Sequence, residues 1–135
     1  MNKIFVLIPV LLMTSCHIND PRPEIHRAMV SVVDDRVCIT LPDTKDESMS
    51  LLTINEAGHG ENRINKAFAL ENKTELYPDK CLSVFGFTFE PGKSYVFSVN
   101  TLRTEEGRMM KNGNSYSVTF SVWRDNGGLQ VKDIN

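Results

Sequence analysis

Three cysteines, three histidines and two runs of carboxylates are the residues of this 135-residue chain whose types could do chemistry. Cys16, Cys38 and Cys81 cannot all pair within one molecule, so one thiol has a different use from the other two. None of His17, His26 and His59 has a cysteine or second histidine at ligand spacing, and no metal site is expected. His59 stands in Gly58-His59-Gly60-Glu61, a histidine beside a carboxylate, the types a general base needs. Flexible glycines on both sides oppose the positioning that catalysis requires, so the stretch reads as a solvated turn. The chain has no GxSxG elbow, no phosphate-binding loop and no dinucleotide glycine fingerprint, so neither an enzyme nor a cofactor is expected. Carboxylates gather at Asp43, Asp46 and Glu47 in "PDTKDES" and again at Glu105 and Glu106. Such loop runs are ordinarily solvated surface. Their functional version is a patch in which these five residues meet a basic protein partner and speed its capture.

The odd thiol is explained by what precedes it. Met1-Asn2-Lys3 supplies one positive charge, and Ile4 to Met13 is an unbroken apolar run too short for a membrane span. Met13-Thr14-Ser15-Cys16 resembles a bacterial lipobox, with methionine in place of the usual first leucine. A cysteine in this motif is diacylated and, after cleavage before it, acylated at its new amino terminus. Three chains at roughly 0.8 kcal/mol per buried CH₂ exceed what stable anchoring needs. His17, not aspartate, follows Cys16, the pattern sent to the outer membrane of a Gram-negative cell. Residues 1–15 are therefore expected to be a lipoprotein signal peptide, with Cys16 lipidated and the mature chain held in the periplasm. A plain secretory signal with an unrelated cysteine nearby is the alternative.

Cleavage removes Lys3 from the 15 basic residues and none of the 17 acidic ones, so the net charge moves one unit further negative than −2. No basic face stands out, and nucleic-acid binding has no electrostatic support. Residues 16–27 are polar, with two prolines and no apolar periodicity, and read as a tether. Residues 28–135 are the length of one domain. Cys38 and Cys81, facing an oxidising compartment, are expected to pair. The loop they close is about 44 residues, worth roughly 4 kcal/mol on the chain-entropy view. Two buried free thiols are the alternative.

The elements that must position these residues follow a period of two. Val30 to Val33, a turn at Asp34-Asp35, then Val37, Ile39 and Leu41 on one face predict a hairpin. A strand is expected over Met49 to Ile54, closed by a loop at Gly58 and Gly60. Ile64, Phe68 and Leu70 alternate, which predicts an edge strand, although the four-residue spacing of Ile64 and Phe68 also fits a helical turn. Cys81, Phe85, Phe87 and Phe89 share parity before Pro91-Gly92, and Tyr95, Phe97 and Val99 share it after, as two half-buried antiparallel strands would. Tyr95, three residues beyond the turn glycine, resembles the tyrosine corner of immunoglobulin-like and fibronectin-like sandwiches, where the hydroxyl bonds the backbone upstream. A long polar connection over residues 104–115 leads to Tyr116, Val118, Phe120 and Val122 on one face, and Asn126-Gly127-Gly128 turns into a short last strand. The sum is an all-β, immunoglobulin/fibronectin-like antiparallel sandwich of about seven or eight strands.

The lipobox at Met13 to Cys16, "RVCITLP" and "YPDKCLSVFGFTFEPGKSYVFSV" together resemble an enterobacterial family of type VI secretion immunity lipoproteins of the periplasm. The likeness extends over essentially the whole mature domain and is sharpest from Tyr77 to Val99. Its framework residues, Cys81, Pro91, Gly92 and Tyr95, carry the fold and transfer no partner-contacting residue. The resemblance implies a non-enzymatic protein that binds and neutralises a secreted toxin. A second class, a binding or structural envelope lipoprotein docking on a protein assembly or glycan, is the alternative.

Overall fold

Alternation of apolar and polar side chains becomes strands along nearly the whole chain. The computed structural model describes residues 25–44, 46–69, 74–105, 108–110 and 113–134. Its elements are β1 (Ile25–Arg27), β2 (Met29–Val33), β3 (Arg36–Thr40), β4 (Glu47–Glu56), β5 (His59–Ala67), β6 (Lys93–Glu105), β7 (Arg108–Met110), β8 (Ser115–Asp125) and β9 (Gly128–Asp133). The described residues include no helix, and the fold is an all-β sandwich. One layer is a seven-stranded sheet with the path β1-β8-β6-β4-β5, to which β9 adds beside β8 and β7 beside β6; the other is the hairpin β2-β3.

The inner face of the large sheet is written in ladder registers. Tyr116, Val118 and Phe120 of β8 stand opposite Val99, Phe97 and Tyr95 of β6. Val99 and Phe97 stand in turn opposite Leu52 and Ile54 of β4. All eight are fully buried. The hairpin lowers Ile39 and Leu41 onto this row, with Val30, Val32 and Val37 packed beside them. Asp34 and Asp35 turn the hairpin with φ of 52° and 58°. A two-residue turn with both central residues left-handed matches the right-handed twist of the strands it joins, and aspartate tolerates that region better than most residues.

A bulge in β4 sets which of its residues face inward. Met49 lies opposite Thr101 and Leu51 opposite Asn100, so β4 carries one residue more than β6 there. Because side chains alternate with period two, the extra residue exchanges the faces. Glu47 and Met49 therefore share the inner side with Leu52, Ile54 and Glu56, and all five are buried. Leu51 turns outward and is 39% exposed.

Four expectations need correction. Residues 81–90 form no strand: Phe85 and Gly86, with φ of 51° and 78°, make a turn. That turn shifts the inward set from Leu82 and Val84 to Phe87 and Phe89, leaving Phe85 partly exposed. The strand expected over Met49 to Ile54 runs from Glu47 to Glu56, and Gly60 lies inside β5, not in a loop. The polar connection expected over residues 104–115 is partly ordered as a ladder, since β6 continues to Glu105 and pairs with β7. His26 and Arg27 belong to the sandwich and not to a tether, because β1 pairs in parallel with β8. The edge strand expected around Ile64, Phe68 and Leu70 is present in part, as β5 over His59–Ala67; Phe68 follows its end, Leu70 lies outside the described residues, and no helical turn forms among the described ones.

Tyr95 does what a tyrosine corner requires. Its ring is fully buried against Phe87, Phe89 and Phe120, and its hydroxyl accepts a 2.7 Å hydrogen bond from the Glu90 amide.

Candidate functional site

The strands give the sandwich two ends. At the proximal end β1 begins, β3 and β6 finish, and β4 and β8 start; at the distal end lie the turns at 34–35, 57–58, 91–92 and 126–127. Four of the five carboxylates singled out from the sequence gather at the proximal end. Asp43 and Asp46 are exposed, with Asp43 Oδ2 3.5 Å from His26 Nδ1. Glu105 stands opposite Arg108 in the β6-β7 ladder. Glu106 and Cys16 lie outside the described residues.

Glu47 has to be removed from any partner-facing patch. It is only 2% exposed, because the β4 bulge turns it onto the inner face. Its oxygens accept hydrogen bonds from Thr101 Oγ1 at 2.7 Å and Asn114 Nδ2 at 3.0 Å on Oε1, and from the Tyr116 hydroxyl at 2.7 Å on Oε2. Burial first, and then this carboxylate, push the Tyr116 phenol well above its ordinary range. His26 stacks on the Tyr116 ring with centroids 5.2 Å apart. A buried carboxylate met by this many donors fixes the chain around it and is a structural device.

The distal end holds Glu56, Glu90 and Lys93, which the sequence did not single out, beside His59 and Glu61, which it did. Lys93 Nζ sits 2.6 Å from Glu90 Oε2 and 2.9 Å from Glu56 Oε1. Those two carboxylates raise the Lys93 ammonium above its usual range, and Lys93 in turn holds the Glu56 carboxyl below the usual carboxylate range. His59 lies between Glu56 at 3.7 Å and Glu61 at 3.5 Å. These groups line an open hollow of about 840 Å³. A lysine held this firmly protonated is a poor base, and the arrangement offers charge recognition and hydrogen bonding.

A second distal hollow of about 380 Å³ separates β3 from the segment 84–91. Its floor is apolar, from Val37, Val84, Phe87, Phe89 and Leu129, and Arg36 and Arg124 stand on its rim. Asp35 is engaged there, accepting the Leu129 amide at 3.0 Å and Arg124 Nη2 at 3.1 Å, and these bonds lower its pKa. Among the described residues, no group of three or more His, Cys, Asp or Glu side chains is placed to hold a metal ion.

The disulfide pairing expected from the sequence is present. Cys38 on β3 and Cys81 are bonded, with Cα atoms 5.1 Å apart. Beside the bond, the Leu82 amide donates to the Ile39 carbonyl at 2.8 Å. Bridge and hydrogen bond together fasten the start of the covering segment to the hairpin.

The family described as a domain of unknown function, DUF7480, matches residues 25–125, and the chain belongs to that family. The matched stretch contains both bridging cysteines, the Glu47 cluster and most of both distal hollows. No curated protein matches the chain, and no solved structure does.

Proposed function

We propose that this chain is a non-enzymatic, lipid-anchored periplasmic protein that binds a secreted toxin and blocks it. The observation that carries the reading is the placement of the chain's point of arrival. β1 pairs in parallel with the first residues of β8, so a tether from Cys16 reaches the domain at its proximal end. The nine residues 16–24 span at most about 30 Å when fully extended. The eleven residues of β8 add about 35 Å beyond that. A domain held this way turns its distal turns and hollows away from the membrane, where another protein can reach them. Asp43 and Asp46 stand at the proximal end instead, where β6 also finishes, which makes them the weaker part of the sequence reading.

A stapled scaffold suits this role. Binding loses less affinity to ordering when the surface is held in shape beforehand, and the Cys38–Cys81 bridge and the Glu47 cluster each hold loops that flank the sheet. Anchoring keeps the inhibitor beside the envelope, where toxins that degrade cell wall or lipid act. The resemblance to type VI immunity lipoproteins supplies the partner class.

The test is co-expression of the full lipoprotein with a periplasm-directed toxin encoded beside it. Survival together with a complex that co-purifies supports the reading. Equal death with and without the lipoprotein, and no complex, would overturn it for that toxin. Co-purification with envelope components in place of a toxin would favour a structural lipoprotein.

A further inference from the structure

We propose that the hollow along β3 is a strand-receiving cleft, which takes an extended segment of a partner protein carrying an acidic side chain beside an apolar one. This rests on the protein-binding reading above and specifies its surface.

The cleft is a gap in the thin layer of the sandwich. In β3, residues alternate between bonding β2 and pointing away from it. Val33 and Arg36 flank the two-residue turn as a bonded pair, so Arg36, Cys38 and Thr40 turn their backbone groups to β2. The Ile39 carbonyl points the other way and is taken by the Leu82 amide. Val37 shares that outward direction. Its N–H and C=O have no hydrogen-bond partner among the described residues, because the turn at Phe85 and Gly86 carries the covering segment away from the edge. An open donor and acceptor beside an apolar floor are what an added strand satisfies, with its alternate side chains filling the floor.

Charge completes the description of the occupant. Arg124 is held by Asp35 at 3.1 Å. Arg36 is exposed and forms no ion pair with any carboxylate among the described residues. A guanidinium on the rim of a hollow of about 380 Å³, within the size range of ordinary binding pockets, selects a carboxylate on the incoming segment.

The experiment uses the full lipidated chain in detergent and a fluorescent, acetylated heptapeptide alternating threonine and valine, with one glutamate next to one phenylalanine at its centre. The expected results are saturable binding by anisotropy, at least tenfold slower exchange of the Val37 amide with peptide bound, and at least tenfold weaker binding by Arg36→Glu. Replacing the peptide's glutamate with lysine should restore binding to Arg36→Glu. Arg36→Gln, which keeps the size of the side chain, should fall between the two. Absence of saturation at millimolar peptide, unchanged affinity in Arg36→Glu, or slowed exchange on β5 in place of Val37 would overturn the cleft. In cells, protection by both the wild type and Arg36→Glu would also overturn the cleft while leaving the immunity role standing. Failure of the wild type to protect would count against that role alone.

Discussion

Tyr116 and Glu47, 69 residues apart in sequence, meet on the inner face of the sheet, where the phenol donates to Oε2 at 2.7 Å. The same carboxylate takes Thr101 and Asn114, so β4, β6 and the approach to β8 converge on one buried side chain. Glu47→Ala removes the acceptor that Thr101, Asn114 and the Tyr116 hydroxyl share and should cost roughly 3 kcal/mol. Glu47→Gln keeps the shape and should cost less. Urea denaturation curves of the two variants check the order, and a Glu47→Ala midpoint equal to the wild type would contradict the cluster's role.

Tyr95 tests the corner in the same way. Tyr95→Phe keeps the buried ring and removes only the acceptor for the Glu90 amide. A single hydrogen bond of this kind contributes about 1 kcal/mol, and for a domain of this size that lowers the Tm by roughly 3–5 °C. Calorimetry on the purified variant reads it directly.

Cys38→Ser should lower the Tm by several degrees and speed amide exchange at Leu82 more than at Val118. The bridge and one backbone bond fasten the start of the covering segment, whereas Val118 lies in the middle of the β8 ladder. Equal exchange at both amides would show that the segment is held by its aromatic contacts alone.

The stability profile should fall at both extremes of pH. Asp35 and Glu56 have depressed pKa values, the first through the Leu129 amide and Arg124, the second through Lys93. Their contribution is present above the ordinary carboxylate range and is lost as pH drops below about 4. Lys93 and Tyr116 are raised, Lys93 by Glu90 and Glu56, Tyr116 by burial and Glu47. Their contribution is intact below about pH 10 and is lost as pH climbs beyond it. In Lys93→Met the acid limb contributed by Glu56 should shrink, which a series of thermal melts against pH would show.

Much of the fold was legible because burial on one face writes itself as alternation. Tyr116, Val118, Phe120 and Val122 are the plainest case, and the Asp34-Asp35 hairpin and the Cys38–Cys81 pairing were equally readable. The β4 bulge was not. One inserted residue changes no composition, yet it brings Glu47 and Met49 onto the same inner side as Leu52 and Ile54, so Glu47 leaves a run that reads as solvated and enters the interior. The turn at Phe85 was hidden for a similar reason, since phenylalanine is an uncommon residue at positive φ and its neighbours look like an unbroken strand. Lys93 gains its meaning partly from Glu56, 37 positions earlier in the chain, and Arg36 from having no ion pair among the described residues. Such long-range partners leave no local pattern to find.

If the proposed role is right, its sharpest test is survival of cells expressing a periplasm-directed toxin from a gene beside this one, scored with the wild-type chain and with Cys16→Ser. Rescue by the wild type with a recoverable toxin complex is expected, and weaker rescue by Cys16→Ser, whose product should leave the membrane fraction. Death at the same rate with and without the wild-type protein, and no complex between the two chains, would contradict it.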